Sequence, residues 1–463
     1  MSTLLIQGGL LVDTEWTRHA DILVKGSKIA HIASKIDEKT VPEGTEIVHA
    51  DGLCILPGLI DSHTHFGLET KNATTVDSFK EGSKLAAFGG VTTVVDFAQE
   101  SKNGNLCSCA KNRISQMQKG MAIDFSLHQS VVDYREGIEK EFTELKKCGV
   151  NTIKFFTTYK NVDSMIENPE GMKKLLLECK KLGMMVTIHC KDDVAVQTLA
   201  DKWSQHEDTS RKEAQSIEAL GIQSVGKLAL EVGITLYIVH LSTKAGLEAV
   251  RELRMNGLSV IVETSPQYLF LDDTLLEGKD GPLYLTTPPL RKKEDKLALQ
   301  DALSNGEIQI VSSGHCAFSQ DQKMKSAPSG NPLSGIPGCE ELLPLIHTFA
   351  LDFGTLGISQ VVNMLSTSPA KAFGLYPNKG SLRVGTDADI VLFNPDESWK
   401  IGLNSIHSAS AFSAYNGKTV TGKVVMTYLR GRLIMSDEVY LGIEGDGIFI
   451  PQDHSIYEGK RWN

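Results

Sequence analysis

The feature that most constrains this chain is an alternation repeated between about residue 55 and residue 377. A short apolar, β-branched run is followed by a polar or Gly-marked turn, a helical stretch and the next run. Eight such runs can be counted: LCILPGLIDSHTHF, VTTVVDFA, AIDFSLHQSV, NTIKFFTTY, MMVTIHC, ITLYIVHLS, LSVIVETSP and IQIVSSGHCAF. Helical fillers such as MKKLLLECKKLG and AGLEAVRELRMNG lie between them and end in glycine, as a C-cap does. Eight strand–helix units in roughly 320 residues fit an α/β fold closed into a (β/α)8 barrel with some long loops. An open doubly wound sheet is the competing architecture. It loses ground because no Gly-rich phosphate fingerprint follows the first run.

Both ends of the chain read differently. LLIQGGLLVDT, ADILVKGSKIAHIA and EIVHADGLCILPG at the start, and SLRVGTDADIVLFNP, TGKVVMTYLRGRLIM and EVYLGIEGDGIFI at the end, are β-branched runs punctuated by Gly, Asp and Asn. Neither end alone offers enough strands to bury a sheet face. The economical reading is one discontinuous β-sandwich domain formed by both termini, residues 1–54 plus 378–463, around a barrel at 55–377.

Composition removes several classes of partner. With 47 Lys+Arg against 57 Asp+Glu the formal charge is −10, and no basic block tracks a phosphate backbone, so nucleic acid is excluded as a partner. No run approaches the roughly 18 apolar residues of a membrane span, and no basic segment precedes an apolar stretch at MSTLLIQGGLLVDTEW. The eight scattered cysteines read as reduced thiols, which places the protein in the cytoplasm.

In a barrel of this kind chemistry sits at the carboxyl ends of the strands. His63 and His65 close the first run, Lys154 lies in the fourth, His189 ends the fifth and His240 ends the sixth. Residues i and i+2 of a strand face one side, so His63 and His65 can serve one metal ion. A single histidine in an apolar strand is more often a hydrogen-bonded core residue, and that reading stands for His128. Four histidines at equivalent strand ends are not an accident of composition. Lys154 alone would read as a structural salt bridge. Among cation-binding imidazoles, burial lowers its pKa, and a neutral amine can add carbon dioxide to become an anionic carbamate ligand.

PGLIDSHTHF, GGVTTVVDFA, IKFFTTY, VHLS, ETSPQYL, TPPLR, GHCAF and KGSLRVGTDADIVLF resemble, in order and over essentially the whole chain, the cyclic amidohydrolases of the dihydropyrimidinase and hydantoinase family. The resemblance implies a metal-dependent (β/α)8 TIM barrel with a terminal β-sandwich, usually a homotetramer, that hydrolyses the cyclic amide of hydantoins and dihydropyrimidines. It implies two Zn2+ ions, with Mn2+ or Co2+ as substitutes, bridged by carboxylated Lys154. His63 and His65 would hold the first ion, and His189 and His240 the second. Tyr159 matches the tyrosine that donates to the developing oxyanion. Thr287 and Ser334 occupy the places where family members, usually through Ser and Asn, present main-chain groups to the ring amide.

One departure matters more. The family reads S-D-H-C at the end of the eighth strand, where the Asp is both metal ligand and general base. This chain reads Ser313-Gly314-His315-Cys316. Gly314 can neither bind metal nor take a proton, so activity is expected to be impaired. His315 follows by one position and would face the other side of a strand. The alternative is an inert scaffold or interaction protein of the same architecture, although five of six metal-binding positions remain. The loop 66–78 is the candidate cover of the site, and the segment 315–335 reads equally as a second flap or as plain surface loop.

Overall fold

The structure, a computed structural model, describes residues 2–100, 104–132, 134–156, 169–190, 212–329 and 332–454. Its centre is a sheet of eight strands: β1 (Leu59–Thr64), β2 (Val91–Ala98), β3 (Asp124–Ser130), β4 (Thr152–Phe156), β5 (Met185–His189), β6 (Leu236–Ile238), β7 (Val260–Thr264) and β8 (Ile310–Val311). Each pairs in parallel with its sequence neighbours. The last strand returns to the first through a parallel bridge between Thr64 and His315, where the His65 N–H donates to the His315 carbonyl at 2.8 Å. The eight strands therefore curl into the (β/α)8 barrel that the alternation implied.

The strands read as continuous apolar runs because both faces are covered. β1, β2, β3 and β7 are buried at every position. One face packs against helices such as Phe79–Phe88, Leu106–Gly120 and Lys244–Met255. These begin on side-chain caps: Ser78, Asn105 and Thr243 each accept a backbone N–H of the first turn. The other face fills the barrel with Ile60, Val95, Tyr237, Ile261 and Ile310.

Two further sheets join the ends of the chain. Thr3–Gln7, Asp21–Lys25, Lys28–Ala33 and Glu46–His49 form a four-stranded sheet. Leu10–Val12, Thr17–His19, Cys54–Pro57, Ile390–Lys400, Thr419–Leu429, Arg432–Ser436 and Val439–Tyr440 form one of seven. Leu4, Ile6, Ile22 and Val24 of the first share a core with Leu11, Ile55, Ile390, Leu392 and Tyr428 of the second, which makes the pair a sandwich.

The run LCILPGLIDSHTHF, read as one strand, is two. Cys54–Pro57 pairs with Ile390–Phe393 of the sandwich, and the chain turns into β1 at Gly58. A Cβ at Gly58 would lie 2.1 Å from Thr92 Oγ1 and 2.8 Å from Asp389 Cβ, so only glycine lets the backbone pass there. The run EVYLGIEGDGIFI leaves the sheet after Tyr440. It turns to the barrel floor, where the Phe125 N–H donates to Ile448 O at 3.0 Å and the Ile450 N–H to Phe125 O at 2.8 Å. Apolar patterning cannot tell these destinations apart, since both bury one strand face.

Candidate active site

The carboxyl ends of β1, β4, β5 and β6 open onto one cavity of about 560 Å3, lined by His63, His65, Lys154, His189 and His240. The ring of His63 lies 5.3 Å from that of His65 and 5.4 Å from that of His240, centroid to centroid, and the rings of His189 and His240 are 4.4 Å apart. Strand register builds this cluster. Lys154 pairs with Thr187 of β5 two residues before His189, and β6 stops just short of His240, whose φ of 39° turns the chain out of the sheet. Such a non-glycine outlier is held by its surroundings. Here the His240 N–H donates to Glu263 Oε1 at 3.1 Å.

Glu263 organises the cluster from below. Fully buried at the end of β7, it also accepts from His63 Nδ1 at 2.9 Å and from the Tyr237 hydroxyl at 2.6 Å. Burial alone would raise its pKa, but the charge and hydrogen bond of His63, with the Tyr237 hydrogen bond, hold it below the usual carboxylate range. The hydrogen bond fixes the His63 ring and leaves Nε2 as its lone-pair donor. Sequence reasoning passed over Glu263, yet a single carboxylate in the apolar run VIVET was a legible signal.

Two of the four imidazoles, those of His65 and His240, are held neutral. Burial, followed by the positive charges of His63 and Lys154, pushes His65 well below the ordinary histidine range, and burial with Lys154 and His63 does the same to His240. Burial brings Lys154 down to about 7. Its ammonium nitrogen has no hydrogen-bond partner among the described residues, and neither has His65 Nδ1. A buried amine without a partner is costly unless something else occupies the site.

The fit to metal follows from that donor set. Among the described residues no three His, Cys, Asp or Glu side chains already stand in a cage, and His240 Nε2 and His189 Nδ1 share a hydrogen bond at 2.6 Å. Four imidazoles from three strand ends, two of them held neutral and one aimed by a buried carboxylate, are nonetheless the chemistry of a divalent transition-metal site, with the orphaned lysine among them.

The other sequence-derived positions fall around the same cavity. Gly314, Thr287 and Ser334 line it; Tyr159 lies outside the described residues. Glu69 to Asn72 of the 66–78 loop border it, as do Cys316, Phe318 and Leu333 of the 315–335 segment. The two segments are joined: the Val76 N–H donates to Ala317 O at 2.8 Å and Gln322 Nε2 to Thr74 O at 3.2 Å. His315 does not face the cavity. Its Nε2 pairs with Asp77 Oδ2 at 3.0 Å, and its Nδ1 accepts from the Gly338 N–H at 3.3 Å. His128 is a core residue: Nε2 donates to Ser62 O at 3.0 Å, and burial takes its pKa down to about 3.

The amidohydrolase family pattern matches residues 54–434. The chain belongs to the amidohydrolase family. It is 31% identical to a D-hydantoinase of Geobacillus stearothermophilus over 464 aligned positions, covering 97% of this chain and 96% of that protein. It is 30% identical to a D-phenylhydantoinase of Escherichia coli, covering 96% and 97%. The crystal structure of a dihydropyrimidinase from Brevibacillus agri superposes with a TM-score of 0.90 at 31% identity, over 98% of this chain and 99% of that one. Family membership explains why a barrel with a two-ended sandwich carries its polar residues at one rim.

Proposed function

We propose that this amidohydrolase opens the cyclic amide of hydantoins or dihydropyrimidines, giving N-carbamoyl amino acids, and that Gly314 impairs it. The observation that carries the reading is the convergence on one cavity of His63, His65, His189, His240 and a buried Lys154 that has no hydrogen-bond partner among the described residues. His63 and His65 would hold one Zn2+ and His189 and His240 a second, with carboxylated Lys154 between them; Mn2+ or Co2+ suits the same donors. Bound metal supplies an activated water and a polarised ring carbonyl. The near-neutral amine of Lys154 adds carbon dioxide, forming an N–C bond and releasing one proton.

The remaining work falls to the chain. Glu263 holds the His63 tautomer. Thr287 and Ser334 present main-chain groups to the ring amide, and Tyr159 donates to the oxygen that gains charge, an effect often worth about 3 to 4 kcal/mol. As water adds and the ring C–N bond breaks, the leaving nitrogen needs a proton. No carboxylate stands at Gly314 to carry it, and loss of such a group costs about 10² to 10⁴ in rate. The same reading takes residues 55–377 as the hydrolase barrel, 1–54 with 378–463 as the sandwich unit, and the protein as a cytoplasmic homotetramer. Among the described residues no helix is long and apolar enough to cross a membrane.

Gly314 also favours a second reading, a catalytically inert scaffold. Zinc-reconstituted protein incubated with dihydrouracil and 5-phenylhydantoin separates the two. Binding of a ring with slow release of the N-carbamoyl product supports the enzyme; metal-loaded protein that neither binds nor opens either ring leaves the scaffold.

A further inference from the structure

The segment that covers the eighth-strand side of the cavity contains an inverted helix. Ser319 caps it in a reciprocal box with Gln322, and it runs Gln320–Ser326 as QDQKMKS. A surface helix turns its apolar residues inward. Here Met324 is 36% exposed while Lys323 is 1% exposed. A charged residue in the inward place, with an apolar one outside, breaks the local rule and calls for a compensating role.

What Lys323 touches supplies one. Its Nζ donates to Leu285 O at 2.8 Å and to Gly335 O at 2.5 Å. Leu285 O also accepts from the Gly335 N–H at 2.9 Å, so three hydrogen bonds close a small ring between two segments distant in sequence. Each segment continues directly into the cavity wall: Thr286 and Thr287 on one side, Ser334 and Gly335 on the other. The hydrogen bonds of Lys323 Nζ among the described residues go to the Leu285 and Gly335 carbonyls and to no carboxylate, and burial brings its pKa down to about 7. Its nitrogen serves main-chain carbonyls only.

We propose that Lys323 is a positioning residue for substrate recognition. It clamps the 285–287 and 334–335 segments at the spacing that lets their main-chain groups read the ring amide together. The inference rests on the functional reading above and deepens it, because it assigns the ring-binding wall to a single side chain that lies behind that wall. Fixing two recognition segments before the ring arrives removes ordering that binding would otherwise have to supply. Lys323 touches no reacting atom.

The test uses zinc-reconstituted protein, with dihydrouracil and hydantoin as probes in titration calorimetry and with melting temperature recorded alongside. Lys323→Met keeps the stem and removes every donor; Lys323→Gln keeps two N–H donors. The Met variant is expected to bind both rings at least tenfold more weakly than the parent, at unchanged zinc content, and the Gln variant to recover a substantial part of that loss. A folded Met variant that binds the rings as the parent does overturns the inference, as does one in which melting temperature falls and ring affinity stays. Should the Met variant fail to fold, the Gln variant decides: a three- to tenfold weaker ring affinity at parental melting temperature supports the clamp, and parental affinity overturns it. If the parent itself binds zinc but no ring, the functional reading has failed, and the clamp with it.

Discussion

Restoring a carboxylate at position 314 is the sharpest perturbation the structure offers. Gly314 has a φ of +64°, in the left-handed region, where a side chain costs about 1 kcal/mol and Asp is among the residues that tolerate it best. A Cβ there would lie 3.2 Å from Gln267 Nε2 and 3.4 Å from Ser265 Oγ. The first distance is tight, but the obstructing atom is the end of a flexible amide and shifts by a few tenths of an ångström. The second is useful, because the buried Ser265 hydroxyl has no partner among the described residues. Hydrogen bonds from Ser265 and Gln267 to the new carboxylate would return about 0.5 to 1.5 kcal/mol each. Strain and gain nearly cancel, so Gly314→Asp is expected to move Tm by no more than a few degrees.

Its effect on rate is expected to be far larger. A positioned acid–base group contributes about 10² to 10⁴, or about 3 to 5 kcal/mol of barrier. The new side chain would also face a cavity lined by Lys154 and four histidines, which favours its charged form and adds an anionic donor to the metal site. Parent and variant would be compared for zinc per chain by mass spectrometry, for Tm by calorimetry, and for release of N-carbamoyl product from dihydrouracil and 5-phenylhydantoin. A gain of at least a hundredfold is expected. A variant that folds, carries as much zinc as the parent and gains less than tenfold would refute the reasoning, because the missing carboxylate would then not limit the reaction.

Three further outcomes are expected. Glu263→Gln weakens the acceptor that orients His63 and lowers metal affinity about 10- to 100-fold, read by competition with a chelating dye; unchanged affinity would remove Glu263 from the metal site. His315→Gln breaks the buried contact with Asp77 and lowers Tm, while the rate per folded molecule changes only a few-fold; a hundredfold loss at unchanged Tm would make His315 the base after all. Burial, reinforced by Glu340, raises Glu341 to about 7, well above its ordinary value. A raised carboxylate pKa gives stability that is present below the unfolded value and lost as pH rises through the folded one. Denaturant titrations should therefore show up to about 3 kcal/mol lost between about pH 4.5 and 7, flattened in Glu341→Gln; an unchanged slope in that variant would assign the loss to other groups.

How much was legible in the sequence follows from what each element has to satisfy. The barrel strands bury both faces, so their apolar runs and glycine-ended helices were visible one at a time. The ends of the strands β1, β5 and β6 were equally visible, because a histidine there has few structural reasons to recur. Gly58 and the turn after Tyr440 were not, because a strand that leaves one sheet for another keeps the same apolar pattern and reveals its destination only through a distant partner such as Asp389 or Phe125. Lys323 was hidden for a related reason: it acts on main-chain atoms far away in sequence, and one of three charges in a short helix does not reveal what it faces, whereas Glu263, a lone carboxylate in an apolar run, announced a partner without naming it.

The same logic bears on Gly314. A chain relieved of catalysis should lose its costly groups first, and a buried lysine with no hydrogen-bond partner among the described residues is among the costliest. Lys154 stays, as do Glu263, which aims His63, and the unsatisfied Ser265 hydroxyl beside the missing side chain. On the proposed reading, the position that departs from the family is one whose backbone conformation is easiest without a side chain. Around it the wall still carries donors that a carboxylate would accept, and the change is therefore one that a single substitution should reverse.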